Sequence, residues 1–196
     1  MNEIEIDIRK KSLILFGLND KLDFLINLYK LGKFPHVLML SGNKGIGKST
    51  LIDHMMNYIF DKNNYDFKKK EINIESSFYK QLCINIYPNI IYLQGDSSKN
   101  IKIDDIRNLK SKLFKSVIST EKRFIILDDI ELFNINSLNA LLKIIEEPSV
   151  NNHFIIINNN TKNLIKTIFS RSLELKIALT DKTRVKIIES LIKNKD

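Results

Sequence analysis

Hydrophobic residues along the chain follow two alternating rhythms. Short apolar runs occur at His36–Ser41 (HVLMLS), Ile90–Leu93, Phe124–Leu127 (FIIL) and Phe154–Ile157 (FIII), with Leu173–Ile177 as a fifth candidate. Continuous runs of this length predict strands buried on both faces of a parallel sheet. Between them the spacing turns helical. Leu22, Leu25, Ile26 and Tyr29 mark a helix over Lys21–Leu31 that Gly32 stops, and Thr50–Phe60 follows the first strand. A further helix falls within Ile74–Ile86. Ile103–Lys115 is amphipathic, with Ile103, Ile106, Leu109, Leu113 and Phe114 on one face. Leu138–Ile145 reads as a helix ending before Pro148, and Thr183–Lys193 as a last one. Asp61–Lys70 (DKNNYDFKKK) reads as a charged, solvated loop and Gly95–Asn100 as a turn or loop. Strands alternating with helices predict an α/β fold around a five-stranded, mostly parallel sheet. No internal repeat is visible.

Composition changes this picture little. At 196 residues the chain is long enough for one domain with a short appendage, without a disulfide or metal staple. Cys83 is the single cysteine, which excludes an internal disulfide and a multi-cysteine zinc site. No apolar run approaches the roughly 20 residues of a membrane helix, and the N-terminus MNEIEIDIRKK lacks a secretory pattern, so the expectation is a soluble cytoplasmic protein without membrane contact. The net charge of +8 suggests nucleic acid. However, Ile, Lys and Asn make up roughly four-tenths of the residues, a skew that inflates lysine without any binding role.

The chemistry lies between the first strand and the helix after it. Gly42-Asn43-Lys44-Gly45-Ile46-Gly47-Lys48-Ser49 completes the pattern G-x-x-x-x-G-K-[ST], and Thr50 follows. Glycines let such a loop wrap so that backbone N–H groups face phosphate oxygens, and the next helix adds its positive end. Lys48 would reach the β- and γ-phosphates of ATP, and the Ser49 hydroxyl would hold Mg²⁺. A second element, Phe124–Leu127 followed by Asp128 and Asp129, ends a buried strand in carboxylates. Asp128 is the candidate for organising Mg²⁺. Asp129 stands where an ATPase needs a base for the attacking water. It is one methylene shorter than glutamate, and a 1 Å misplacement can cost on the order of a hundredfold in rate.

The run Asn139-Ala140-Leu141-Leu142-Lys143-Ile144-Ile145-Glu146-Glu147-Pro148 resembles the NALLKxLEEP signature of clamp-loader AAA+ proteins. That family holds the bacterial DNA polymerase III gamma/tau and delta-prime subunits and eukaryotic replication factor C. Phe34-Pro35-His36-Val37-Leu38 resembles its entry into the first strand. Tyr87-Pro88-Asn89 with Ile103-Asp104-Asp105-Ile106-Arg107 is similar to a stretch typical of delta-prime, and Ser170-Arg171-Ser172 to the Ser-Arg-Cys motif. The resemblance implies an AAA+ P-loop domain over residues 1–180, with 181–196 as a remnant of a helical lid. It implies that Asn159 is the sensor-1 residue that reads the γ-phosphate. Arg171 would be an arginine finger reaching a neighbouring subunit's ATP. Implied partners are gamma/tau-like and delta-like subunits and, through the complex, the sliding clamp and primed DNA.

Two departures carry consequences. The four-cysteine zinc module that many relatives insert after the phosphate-loop helix has no counterpart here, so no zinc is expected and Cys83 reads as a small core residue. The sequence after Arg171 offers only Thr183–Lys193 toward the lid that carries the sensor-2 arginine, so the chain's own ATPase is expected to be weak or absent. Other readings stay open. A small nucleotide kinase could carry the same phosphate loop, although Arg107, Arg123, Arg171 and Arg184 show no clustered pair for an acceptor lid. A degenerate AAA+ subunit that hydrolyses nothing is the other alternative. The helix bearing Arg107, Lys110 and Lys112 could follow DNA phosphates or simply be solvated, and Lys68-Lys69-Lys70 reads as loop. His36, His54 and His153 show no ligand spacing.

Overall fold

The computed structural model describes residues 12–95, 101–114, 122–147 and 151–193. Its strands are β1 (Val37–Ser41), β2 (Tyr65–Asp66), β3 (Glu71–Ile72), β4 (Ile90–Gln94), β5 (Arg123–Asp128), β6 (Asn152–Asn158) and β7 (Leu173–Lys176). Its helices are α1 (Asn19–Lys30), α2 (Lys48–Phe60), α3 (Ser77–Cys83), α4 (Ile103–Phe114), α5 (Ile135–Glu146), α6 (Lys166–Phe169) and α7 (Asp181–Lys193). All five expected sheet strands are present, in the order β4-β5-β6-β1-β7, and each neighbouring pair runs parallel. The chain forms two compact units. One holds the sheet (Pro35–Gly45 and Pro88–Ile177); the other comprises residues up to Phe34, Ile46–Tyr87 and the part from Ala178 onward.

In the sheet unit every residue of β1, β5 and β6 is buried, which is why these strands read as unbroken apolar runs. Val37, Met39, Ile125, Leu127, Phe154 and Ile156 present one face. Against it pack Ile106 and Leu109 of α4 and Leu138, Leu141, Ile144 and Ile145 of α5. α5 starts at Ile135, earlier than the apolar spacing suggests, because the Asn134 side chain accepts a hydrogen bond from Ser137 N–H at 2.8 Å and caps the helix. Pro148 lies outside the described residues. Parallel register places Gln94 beside Asp128 and Ser41 beside Asn158, so the carboxyl ends of the strands share one rim. That rim is where ligands bind in open α/β sheets.

The second unit corrects the reading of Asp61–Lys70 as solvated loop. Within it a 3₁₀ turn (Lys62–Asn64) leads into the β2–β3 hairpin. The Asp66 side chain closes the hairpin by accepting from Lys68 and Lys69 N–H. Tyr65 and Lys70 are buried. Lys70 ion-pairs with Asp23 at 2.5 Å, and its ammonium lies 3.2 Å from the Phe67 ring centroid. Charged neighbours along the sequence hid this, since burial here comes from tertiary packing. Cys83 is buried as well.

His54, on α2, is fully buried. Its Nδ1 accepts from the Tyr65 hydroxyl at 3.0 Å, and its Nε2–H donates to the Ser12 carbonyl at 3.3 Å, which requires the neutral ring. Burial lowers its pKa from 6.5 to about 4, and burial lowers that of His153 also. The folded state therefore binds fewer protons than the unfolded chain in this window. His54 stability is fully present above pH 6.5 and is lost as pH falls toward 4, about 3 kcal/mol in all. Urea unfolding at pH 7 and pH 4.5 checks this: His54→Gln flattens much of the wild-type dependence. His36 and His153, remote in sequence, are stacked 5.3 Å apart at the amino ends of β1 and β6. Their neighbours are the backbone carbonyls of Asn152 and Pro35.

Candidate functional site

The phosphate loop leaves β1 at Ser41 and ends in the first turn of α2. Gly45 (φ +84) and Gly47 (φ +90) lie in the left-handed region, where a side chain would be strained. Gly47 is the N-cap of α2, and Lys48, 3% exposed, is the first helical residue. No acidic side chain occupies that first turn, where one would offset the positive pole most strongly. Gly42 N–H donates to the Asn158 carbonyl at 3.3 Å, which ties the start of the loop to the end of β6. Two glycines in the left-handed region and a helix N-terminus led by Lys48, Ser49 and Thr50 form a donor set that suits a polyphosphate.

At the rim of the sheet unit Asp128 is 5% and Asp129 4% exposed. Asp128 Oδ2 accepts from the Tyr92 hydroxyl at 2.5 Å, and its Oδ1 accepts from Asp129 N–H at 2.9 Å. An anionic oxygen at the end of a buried strand is the kind of ligand Mg²⁺ takes beside nucleotide phosphates. Among the described residues no group of three or more His, Cys, Asp and Glu could hold a metal by itself.

Asp129 is held far more closely than its position suggests. Its backbone lies in the left-handed region at φ +49, which aspartate tolerates better than most side chains. Its Oδ1 accepts from Asn159 Nδ2 at 2.7 Å and pairs with Lys44 Nζ at 3.3 Å; Gln94 Nε2 approaches Oδ2 at 3.4 Å. Three donors, one of them cationic, engage this carboxylate and compete with any water for its oxygens. The structure thus joins Lys44, Asp129 and Asn159, three residues singled out from sequence. Arg171 lies elsewhere on the same unit, between α6 and β7, where it ion-pairs with Glu146.

Four contributors escaped the sequence reading. Tyr92 and Gln94 lie on β4, whose apolar run marked only a strand. Gly95 donates its N–H to the Asp128 carbonyl at 2.9 Å, and a Cβ there would meet the Asp129 carbonyl oxygen at 2.4 Å, so only glycine fits. Glu131, 6% exposed, accepts from the N–H of Asn159 (3.0 Å) and from the N–H and hydroxyl of Thr161 (3.3 and 2.8 Å), fixing the turn after β6. Only an acid three residues past a strand end hinted at it. On the α4–α5 side, Arg107, Lys110, Lys143, Asn136 and Asn139 rim a groove whose floor includes the apolar Ile103, Ile106, Ala140 and Ile144. Arg107 ion-pairs with Asp104 at 2.9 Å.

Comparison with known proteins agrees with this layout. A family model described as "DNA polymerase III, delta subunit" matches residues 17–181. The DNA polymerase III subunit gamma of Buchnera aphidicola subsp. Acyrthosiphon pisum is 25% identical over 160 residues, 81% of this chain and 43% of the relative. The subunit delta' of Buchnera aphidicola subsp. Baizongia pistaciae is 27% identical over 155 residues, 75% of this chain and 45% of the relative. The chain thus spans less than half the length of either relative. Among solved structures, a DNA polymerase III gamma subunit-related protein from Thermotoga maritima superposes with a TM-score of 0.58 at 20% identity, over 84% of this chain and 49% of that one. The Holliday junction branch migration motor RuvB from Thermotoga maritima gives 0.54 at 20% identity, over 94% and 55%. At 20% identity these two likenesses concern the fold alone, a parallel sheet flanked by helices. No described helix is long and apolar enough to cross a membrane. With the match to residues 17–181 extending over most of its length, the chain belongs to the clamp-loader family of DNA polymerase III gamma and delta' subunits.

Proposed function

We propose that this chain acts as a delta-prime-like clamp-loader subunit: it binds ATP without turning it over at a useful rate, and it lends Arg171 to the ATP site of a neighbouring gamma/tau-like subunit. The carrying observation is the state of Asp129, whose carboxylate is engaged by Asn159, Lys44 and Gln94. A base must offer a lone pair to the proton of water, and here two donors on Oδ1 and one on Oδ2 compete with water for the carboxylate. Arg171, by contrast, is partly exposed and separate from that cluster, as a residue that acts on another molecule must be. A cation placed on a transferring phosphoryl group neutralises charge that develops in the transition state.

In this reading the phosphate loop from Gly42 to Thr50 holds the nucleotide, and the motif assigns the Ser49 hydroxyl to Mg²⁺. Bound Mg²⁺ would neutralise the phosphate oxygens. Asn159 reads the γ-phosphate while it holds Asp129, and the α4–α5 groove faces nucleic acid. Loading a sliding clamp onto primed DNA is the process served, and the setting is the cytoplasm.

The test is ATPase of the organism's gamma-type and delta subunits with clamp and primed DNA, with and without this chain. Strong stimulation, together with background turnover by the chain alone, supports the reading. Robust turnover by the isolated chain, or phosphoryl transfer to a nucleotide acceptor, would favour a kinase. Nucleotide binding without stimulation would leave a degenerate AAA+ subunit.

A further inference from the structure

The guanidinium of Arg171 is not presented bare. Its Nε and Nη2 both donate to Glu146 Oε1, at 2.8 and 2.6 Å. Its Nη1 donates to the Thr167 carbonyl at 3.1 Å and to Ser170 Oγ at 3.3 Å. Four donor contacts therefore stay within the chain, and the carboxylate cancels the charge that would attract a phosphate. Glu146 is the last residue of α5, where a carboxylate sits against the helix's negative pole; an arginine partner relieves that clash. Both side chains are partly open, 36% exposed for Arg171 and 45% for Glu146, so water and a competing anion can reach the pair.

We infer that Glu146 is a latch for Arg171: it holds the finger in cis, and an ATP-loaded neighbour must displace the Glu146 carboxylate with its own phosphate oxygens. This rests on the finger reading above. The exchange replaces one charge-assisted contact with another, so it is readily reversible and moves the apparent affinity between subunits more than the final rate. An exposed ion pair of this kind sets the scale at roughly two- to fivefold. Glu146 is thereby a positioning residue; it does not touch the partner's nucleotide.

The experiment titrates this chain into the gamma-type and delta subunits with ATP, clamp and primed DNA, using wild type, Glu146→Gln, Glu146→Ala and Arg171→Ala. Expected are a two- to fivefold lower half-maximal concentration for both Glu146 variants at an unchanged plateau, and a smaller gap at high salt. Glu146→Gln keeps the size and most of the hydrogen bonding, so it separates charge release from misfolding. A half-maximal concentration equal to or above wild type, or a reduced plateau, would overturn the latch. Arg171→Ala performing as well as wild type would instead remove the finger reading itself, and the latch with it.

Discussion

Replacing Arg171 with alanine is expected to abolish stimulation of the neighbouring ATPase, by about 10³-fold in rate, with a fall in unfolding midpoint of no more than about 4 °C. The cause is electrostatic. A guanidinium in a site that excludes water stabilises negative charge on the transferring phosphoryl group, and a truncated side chain leaves that charge to solvent. Stability changes little because the Arg171–Glu146 pair is partly open to solvent, a class of contact worth about 0.2–1 kcal/mol. Arg171→Lys is expected to recover only part of the rate. Lysine keeps the charge but not the planar fork that addresses two oxygens at once. Steady-state ATPase of the assembled subunits and thermal unfolding of this chain provide the two readouts.

Glu131→Ala is expected to have the largest effect on stability among the rim residues, about 2–4 kcal/mol, read as a lowered urea midpoint. Its carboxylate is buried and accepts from Asn159 N–H and from both donors of Thr161. Removing it orphans the buried Asn159 N–H and loosens the turn that aims Asn159 Nδ2 at Asp129. Glu131→Gln keeps one acceptor oxygen and is expected to cost about half as much. Because Asn159 and Asp129 move together in this account, Glu131→Ala also weakens nucleotide binding, which calorimetry with ATP·Mg²⁺ would register.

The contrast between Arg171 and Glu131 shows what the amino-acid sequence makes legible. The sheet was readable because β1, β5 and β6 are buried along their whole length, and a strand covered on both faces leaves little room for polar side chains. The phosphate loop was readable because its glycine spacing is a backbone requirement written directly into residue identity. The hairpin at Tyr65–Ile72 was not, since its strands are two residues each and its burial depends on Asp23 and His54 from other elements. Gly95 looked like any loop glycine; only the close approach of the Asp129 carbonyl accounts for it. The partner of Arg171 was equally hidden, although Glu146 lies inside the most recognisable stretch of the chain. Sequence proximity to a motif says nothing about which charges meet once α5 and α6 fold onto the sheet.

Asp129 is a subtler case. Its shortness relative to glutamate suggested a misplaced base, a matter of reach. The structure adds a second cause: the residue sits in the left-handed region and is bound by three donors.

On this account the chain acts on its neighbour's ATP and not through hydrolysis of its own. The most direct test compares Lys48→Ala with Arg171→Ala in the same reconstituted assembly. The expected result is that Lys48→Ala, which disables the chain's own phosphate loop, leaves most of the assembly's ATPase intact, while Arg171→Ala removes it. The reverse pattern, with activity lost on Lys48→Ala and retained on Arg171→Ala, would contradict the account and identify this chain's own site as the one that turns over.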